Sequence, residues 1–211
     1  MTMSLVQDVL GIFRKDWKLF LAVNVFFFGT VLVGAVIALL SPSTQGAVID
    51  IAAKGLTSGP FSGIGSTYES GNILGAALVT FVFNFFVGTL VDITVPSVIF
   101  PPWALFMGLI RALLWGIALV VPYGSLTPAR LVPHYLTMLL EGEGYVVAIF
   151  ACVRQIFAIL DPQRFGEKSR WKAYLHAVVD NLKLLPVVAL LLAVSALYEA
   201  WEVMFFAGIL K

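Results

Sequence analysis

Charge is scarce in this chain. Asp, Glu, Lys and Arg make up 12% of its 211 residues, against about 25% in an ordinary soluble domain. A particle that dissolves in water must spread charge over its surface, whereas a surface that meets hydrocarbon must exclude it. Cysteine is nearly absent: Cys152 stands alone, so no internal disulfide can form, and no His/Cys cluster has metal-ligand spacing. Within its apolar run Cys152 reads as a small packing residue. The net charge is +1, so no basic excess points to nucleic acid. The signatures HExxH, GxSxG and the P-loop are missing. No cofactor or metal is implied, and the expectation is a non-enzymatic protein. The opening stretch MTMSLVQDVLGIFRKDWKLF does not read as a signal peptide, because its charges follow the first apolar segment and no small-residue cleavage site closes the next one.

What is present is apolar side chain, 60% of the residues, with a mean hydropathy of +0.98. About 20 consecutive apolar residues cross a bilayer core as a helix. Segments 19–40, 73–91, 101–121, 131–159 and 184–206 satisfy this. The expectation is an all-α, polytopic transmembrane helix bundle of about five spans, one membrane domain over residues 1–211. Residues 1–18 are too short to span; Leu5, Val9, Ile12 and Phe13 share a helical face, as in an interfacial amphipathic helix. Residues 41–72, rich in Ser, Gly, Thr and Pro, read as an external loop with a short helix around 47–53. Residues 92–100 read as a short link. Residues 160–183 read as a cytoplasmic basic loop with helical spacing over 171–182, and EGEG at 141–144 reads as a break in the fourth helix.

Lys and Arg set the expected orientation. Arg14, Lys15 and Lys18 precede the first span; Arg164, Lys168, Arg170, Lys172 and Lys183 lie between the fourth and fifth. An odd number of spans puts both clusters on one side, which places the N-terminus in the cytoplasm of a multi-pass cell-membrane protein. The other side carries Lys54, Arg130 and Lys211. The stretch with Arg164, Lys168, Arg170 and Lys172 reads as an anchor to anionic lipid, with Trp171 at the interface.

Polar groups inside spans are costly, and they are the candidate functional residues. Asn84, Arg111 and Glu141 fall at matched, midplane depth on antiparallel helices, with Glu143 as a competing partner for Arg111. Two readings stand. In one, Arg111 and a glutamate form a buried ion pair that fixes helix register. In the other, the layer lines a polar pathway. Gly142 and Gly144 beside Glu143 serve either an unwound site or close helix packing. Towards the outer side lie His134, Glu199 and Glu202; the glutamates either cap a polar cavity or reach headgroups. Asp92, at the inner end of the second span, needs only headgroup contact.

Several stretches resemble the stage II sporulation protein M family over residues 73–211. FVFNFFVGTL is similar to its helix with a central Asn and a following Gly, here Asn84 and Gly88. WALFMGLIRALLWG is similar to the next, glycine-bearing helix. LVPHYLTMLLEGEGYVVA resembles its Pro-His segment with a following carboxylate, here Pro133, His134 and Glu141, and LLLAVSALYEAW its last helix, with Glu199. Tyr135 and Met138 stand where the family commonly has Gly and Glu, so Glu141 is a displaced counterpart. The resemblance implies a polytopic membrane protein without catalytic activity, a scaffold or subunit of a membrane complex. The expected partners are the bilayer and other membrane subunits or further copies of the chain. The rival expectation is a channel or transporter component that uses Asn84, Arg111 and Glu141.

Overall fold

A computed structural model of the chain describes residues 2–58, 62–206 and 208. Lys211 and residues 59–61 of the expected external loop lie outside the described residues. The elements are α1 (Thr2–Lys15), α2 (Trp17–Leu40), α3 (Pro42–Ser58), α4 (Ser62–Glu69), α5 (Ile73–Val82), a π-helical segment (Phe83–Thr94), α6 (Val95–Ile99), α7 (Trp103–Leu119), α8 (Pro128–Leu160) and α9 (Arg170–Phe206). The described residues form no strand beyond one isolated bridge, Tyr123 to Leu126. Four helices are long and apolar enough to cross a membrane: Trp17–Leu40, Ile73–Ile99, Pro128–Leu160 and Arg170–Phe206. The apolar α7 has 17 residues, about 26 Å of helix, and packs among them.

The bundle is built around α8. Its most apolar window is 72% buried, against 39% for α2 and 33% for α9, and every residue from Gly144 to Gln155 is buried. Around it, Phe13, Phe20 and Phe150 interlock with ring centroids 5.1 to 5.6 Å apart. On α2, Phe27 is fully buried while Leu21, Val25, Leu32 and Val36 are exposed; on α9, Leu192 is fully buried while Leu190, Val194 and Leu197 are exposed. Each of these helices therefore has one face on the core and an apolar face outside. In water such a surface would be unfavourable; against lipid tails it costs nothing. The apolar face of α1 is turned to the bundle: Ile12 is buried, with Val9 and Phe13 packed on the same core. Asp8 on α1 meets Lys183 on α9 at 2.9 Å.

Four stretches differ from the sequence expectation. The fourth helix runs unbroken through 141–144. Its glycines are contact points: a Cβ on Gly142 would stand 2.9 Å from the Phe28 ring, and one on Gly144 2.9 Å from a Leu192 methyl. Tight packing thus offsets the weak helix propensity of glycine. Residues 92–99 continue the second helix instead of linking it to the third. Pro96 has no N–H for the Asp92 carbonyl, but the Trp103 indole N–H donates to that oxygen at 2.7 Å, so the proline leaves no buried acceptor unpaired. Residues 41–72 are largely helical. Pro42–Ser58 and Ser62–Glu69 form a cap over one end of the bundle, tied down by Gln45, which donates to the Val121 carbonyl at 2.7 Å. Of the expected loop 160–183, the part from Arg170 onward is the first turns of α9.

The tightest crossing is α2 on α7. A Cβ on Gly116 would stand 2.8 Å from the Gly34 Cα and collide with the Val31 carbonyl. Gly116→Leu should therefore force the helices apart and destabilise by about 1–3 kcal/mol or more, as overpacking does. Gly29, on α2, has nothing within 4 Å of an added Cβ among the described residues, so Gly29→Ala should be neutral or slightly stabilising. Thermal unfolding of both variants in detergent checks this; equal destabilisation would refute the close crossing.

Candidate functional site

The polar side chains of the bundle gather at two levels. The first is at the basic end, where α1 meets α2 and α8 gives way to α9. Arg154, on the last turns of α8, is 2% exposed. Its Nε donates to Asp16 Oδ2 at 2.7 Å and its Nη2 to Asp180 Oδ2 at 2.9 Å. Arg164 donates through Nε to the other Asp16 oxygen at 3.0 Å. Buried Arg154 is thus neutralised by two buried aspartates, with the half-buried Arg164 as a second counter-charge to Asp16, the condition under which buried charge is tolerated. Burial alone raises the Asp16 pKa, but the hydrogen bonds and charges of Arg154 and Arg164 outweigh it and hold the carboxyl below its ordinary 3.8. Lys168, Arg170 and Lys172 stay exposed beside this network, while Arg164, grouped with them as an anchor from sequence, is half-buried and engaged by Asp16.

The second level is a cavity of about 420 Å³ in the other half of the bundle. On α8, His134, Thr137, Met138 and Glu141 line it, at the i, i+3, i+4, i+7 spacing that shares one helix face. Glu199 and Val203 of α9 form a second wall; Thr80 and Asn84 form a third, with Trp115 and Leu119 of α7 beside them. Tyr68 reaches in from the cap and shares a hydrogen bond of 2.8 Å with Thr80. Asn84 stands at the start of the π-helical segment, whose wider i→i+5 winding is frequent at functional sites. His134 Nδ1 lies 2.6 Å from Glu202 Oε1, and a smaller cavity of about 230 Å³ opens on the far side of that pair.

The expected midplane layer is therefore redistributed. Asn84 and Glu141 share the cavity. Arg111 does not pair with Glu141 or Glu143; its Nη2 reaches Asp92 at 3.3 Å and the Gly88 carbonyl at 3.4 Å. The guanidinium also lies 4.1 Å above the Tyr145 ring. Asp92, which headgroup contact alone was enough to explain, is the counter-charge, because the helix carrying it continues past residue 91 and sets Gly88 and Asp92 beside α7. Glu143 turns towards Asn24 on α2. Of the outer residues, His134 and Glu202 form a pair, and Glu199 faces Glu141 across the cavity.

Sequence reasoning missed Asp16, Arg154 and Asp180. Arg154 lay inside an expected span, a position that by itself demands a partner. Tyr68, Thr80 and Thr137 carried no signal in sequence, since hydroxyls are common on helices and in loops. Among the described residues no set of three or more His, Cys, Asp and Glu is placed to hold a metal ion. No family model, curated protein or solved structure matches the chain.

The basic-end network makes a prediction about pH. A carboxyl whose pKa is lower in the folded state gives stability that is present above its unfolded value and lost as pH falls through the folded one. Unfolding in detergent should show a loss below about pH 4 that Asp16→Asn abolishes, the variant being less stable at neutral pH. Arg154→Ala, which takes the buried guanidinium from both aspartates and leaves Asp16 to Arg164 and Asp180 to Lys183, should cost up to about 3–5 kcal/mol.

Proposed function

We propose that this chain is a multi-pass, non-enzymatic membrane protein that serves as the ligand-binding component of a channel or transporter. The observation that carries this reading is the cavity inside the bundle, walled by Glu141 and Glu199 with Asn84, Thr80 and His134. Polar side chains in a membrane-embedded helix face the bundle interior and mark solute or ion pathways. Sites near mid-depth between helices are where transporters hold their substrates. Such a site needs an opening, and the second cavity beyond His134 and Glu202 lies on the side of the capping helices.

The topology that fits is five passes with the N-terminus in the cytoplasm of the cell membrane, α7 making the third. Both basic clusters then share one face. The exposed apolar faces of α2 and α9 would meet lipid, further copies of the chain or other subunits. The scaffold reading implied by the resemblance to the stage II sporulation protein M family expects a dry, fully paired polar layer. The ion-paired Asp16, Arg154, Arg164 and Asp180 network comes nearest to that character, with Arg154 Nη1 alone of its guanidinium nitrogens left without a partner among the described residues, so a complex subunit is the second proposal, with the basic end as its rigid part.

Two measurements test these readings. In a Cys152→Ala background, Asn84→Cys should react with a small hydrophilic methanethiosulfonate at least tenfold faster than native Cys152, which is fully buried, does in the unmodified protein. Equal, negligible rates would mean a dry interior and favour the scaffold. For topology, cysteines at positions 54 and 168 in the same background should differ towards an impermeant maleimide added outside whole cells. Position 54 should label and 168 should not; the reverse would overturn the orientation.

A further inference from the structure

We infer that the cavity takes a small organic cation carrying an ammonium group, held between Glu141 and Glu199 and against the face of Trp115. This rests on the reading of the cavity as a ligand site and names what that ligand is.

The first observation is an orphan. Thr137 is 1% exposed and lines the cavity, yet among the described residues its hydroxyl has no hydrogen-bond partner. Buried hydroxyls are almost always paired, and leaving one unpaired costs about 1–3 kcal/mol. A polar group bound in the cavity would satisfy it. The second observation is charge. Among the described residues neither Glu141 nor Glu199 is in an ion pair. The imidazole on the lining, that of His134, is engaged by Glu202, and Arg111, which attracts Glu141 from α7, is engaged by Asp92. A positive ligand would compensate the two glutamates; a neutral or anionic one would leave them facing each other.

Shape then separates the kinds of cation. A bare metal ion needs several ligands closing on one point, and among the described residues no three or more His, Cys, Asp and Glu side chains are so placed. A proton needs no cavity. The volume of about 420 Å³ lies at the lower end of the range for small-molecule sites. Tyr68, Phe83 and Trp115 add aromatic rings to the lining, and aromatic faces attract ammonium groups, Trp most strongly. Carboxylates for the charge, a hydroxyl for one N–H and aromatic rings around the carbon atoms together describe a site for an alkylammonium ion.

The test uses the full chain in lipid nanodiscs at fixed pH and ionic strength. Binding of n-propylammonium and of tetramethylammonium is followed by calorimetry and by the rise in Tm, with n-butanol as the uncharged isostere and potassium chloride as the bare ion. At least one ammonium should bind saturably, and butanol and potassium should not. Glu199→Gln and Glu141→Gln should each weaken binding about tenfold or more, and Trp115→Leu about threefold to tenfold. The ammonium, alcohol and potassium comparison needs no variant, so a variant that fails to fold leaves the result decided. Equal binding of butanol, equal binding of potassium, or no saturable binding of either ammonium would each overturn the assignment. If Asn84→Cys reacts while neither ammonium binds, the cavity is wet and the assignment of its ligand is wrong, but the transport reading stands. If Asn84→Cys is also inert, both fail.

Discussion

Hydrocarbon outside the bundle inverts the usual problem of a fold. In water, the interior is apolar and charge is free to sit on the surface; in a bilayer, the outer surface must be apolar and every polar side chain at that depth must find its partner inside. The rest of this structure follows from that constraint. The faces of α2 and α9 that look outward carry Leu and Val. The side chains that cannot face lipid, Arg154, Asp180, Glu141, Thr137, Asn84 and Glu202, are all directed into the interior, where they are buried. The bundle has little drive to assemble from apolar burial alone, since lipid tails are as apolar as Leu. Close packing and internal polar contacts must hold it.

The two polar levels meet this constraint in opposite ways. At the basic end the charges close on one another. Arg154 bridges Asp16 on the α1–α2 junction to Asp180 on α9, and Arg164 covers the remaining Asp16 oxygen. The α1–α2 junction and α9 are thereby both pinned to one guanidinium on α8. At the other level the polar side chains line a common cavity. Glu141 and Glu199 stand on different helices on its wall, and among the described residues the buried Thr137 hydroxyl there has no hydrogen-bond partner. The two levels thus differ in geometry: at the basic end charged side chains bond directly to one another, whereas at the other level they stand around a cavity.

Glycine and proline positions show how local weakness is absorbed by packing. Gly34 and Gly116 let α2 and α7 approach until their backbones touch, and Gly142 and Gly144 admit Phe28 and Leu192 against α8. Pro96 removes a donor, and the Trp103 indole replaces it. In each case a residue that weakens an isolated helix is tolerated because a neighbouring helix supplies the missing contact.

The sequence by itself determined the solvent and the class of fold. The scarcity of charge, the long apolar runs and the amphipathic spacing at the N-terminus depend only on composition and periodicity, which local helix geometry converts directly into membrane-length helices. It also marked Asn84, His134, Glu141 and Glu199 as polar groups that needed an explanation. The tertiary structure alone decided the partners. Matched depth along antiparallel helices suggested Arg111 with Glu141, but depth carries no information about which helices are neighbours or how they are rotated about their axes. The extension of the second helix past residue 91 brought Asp92 to Arg111 and left Glu141 to the cavity. Tyr68 entered that cavity from a stretch whose Ser and Gly content read as a loop, because the cap is held by contacts made with residues 121 and 80. Arg154 and Asp16 are 138 positions apart, and no local pattern links residues at that separation; only the packing of α8 against the start of α2 joins them.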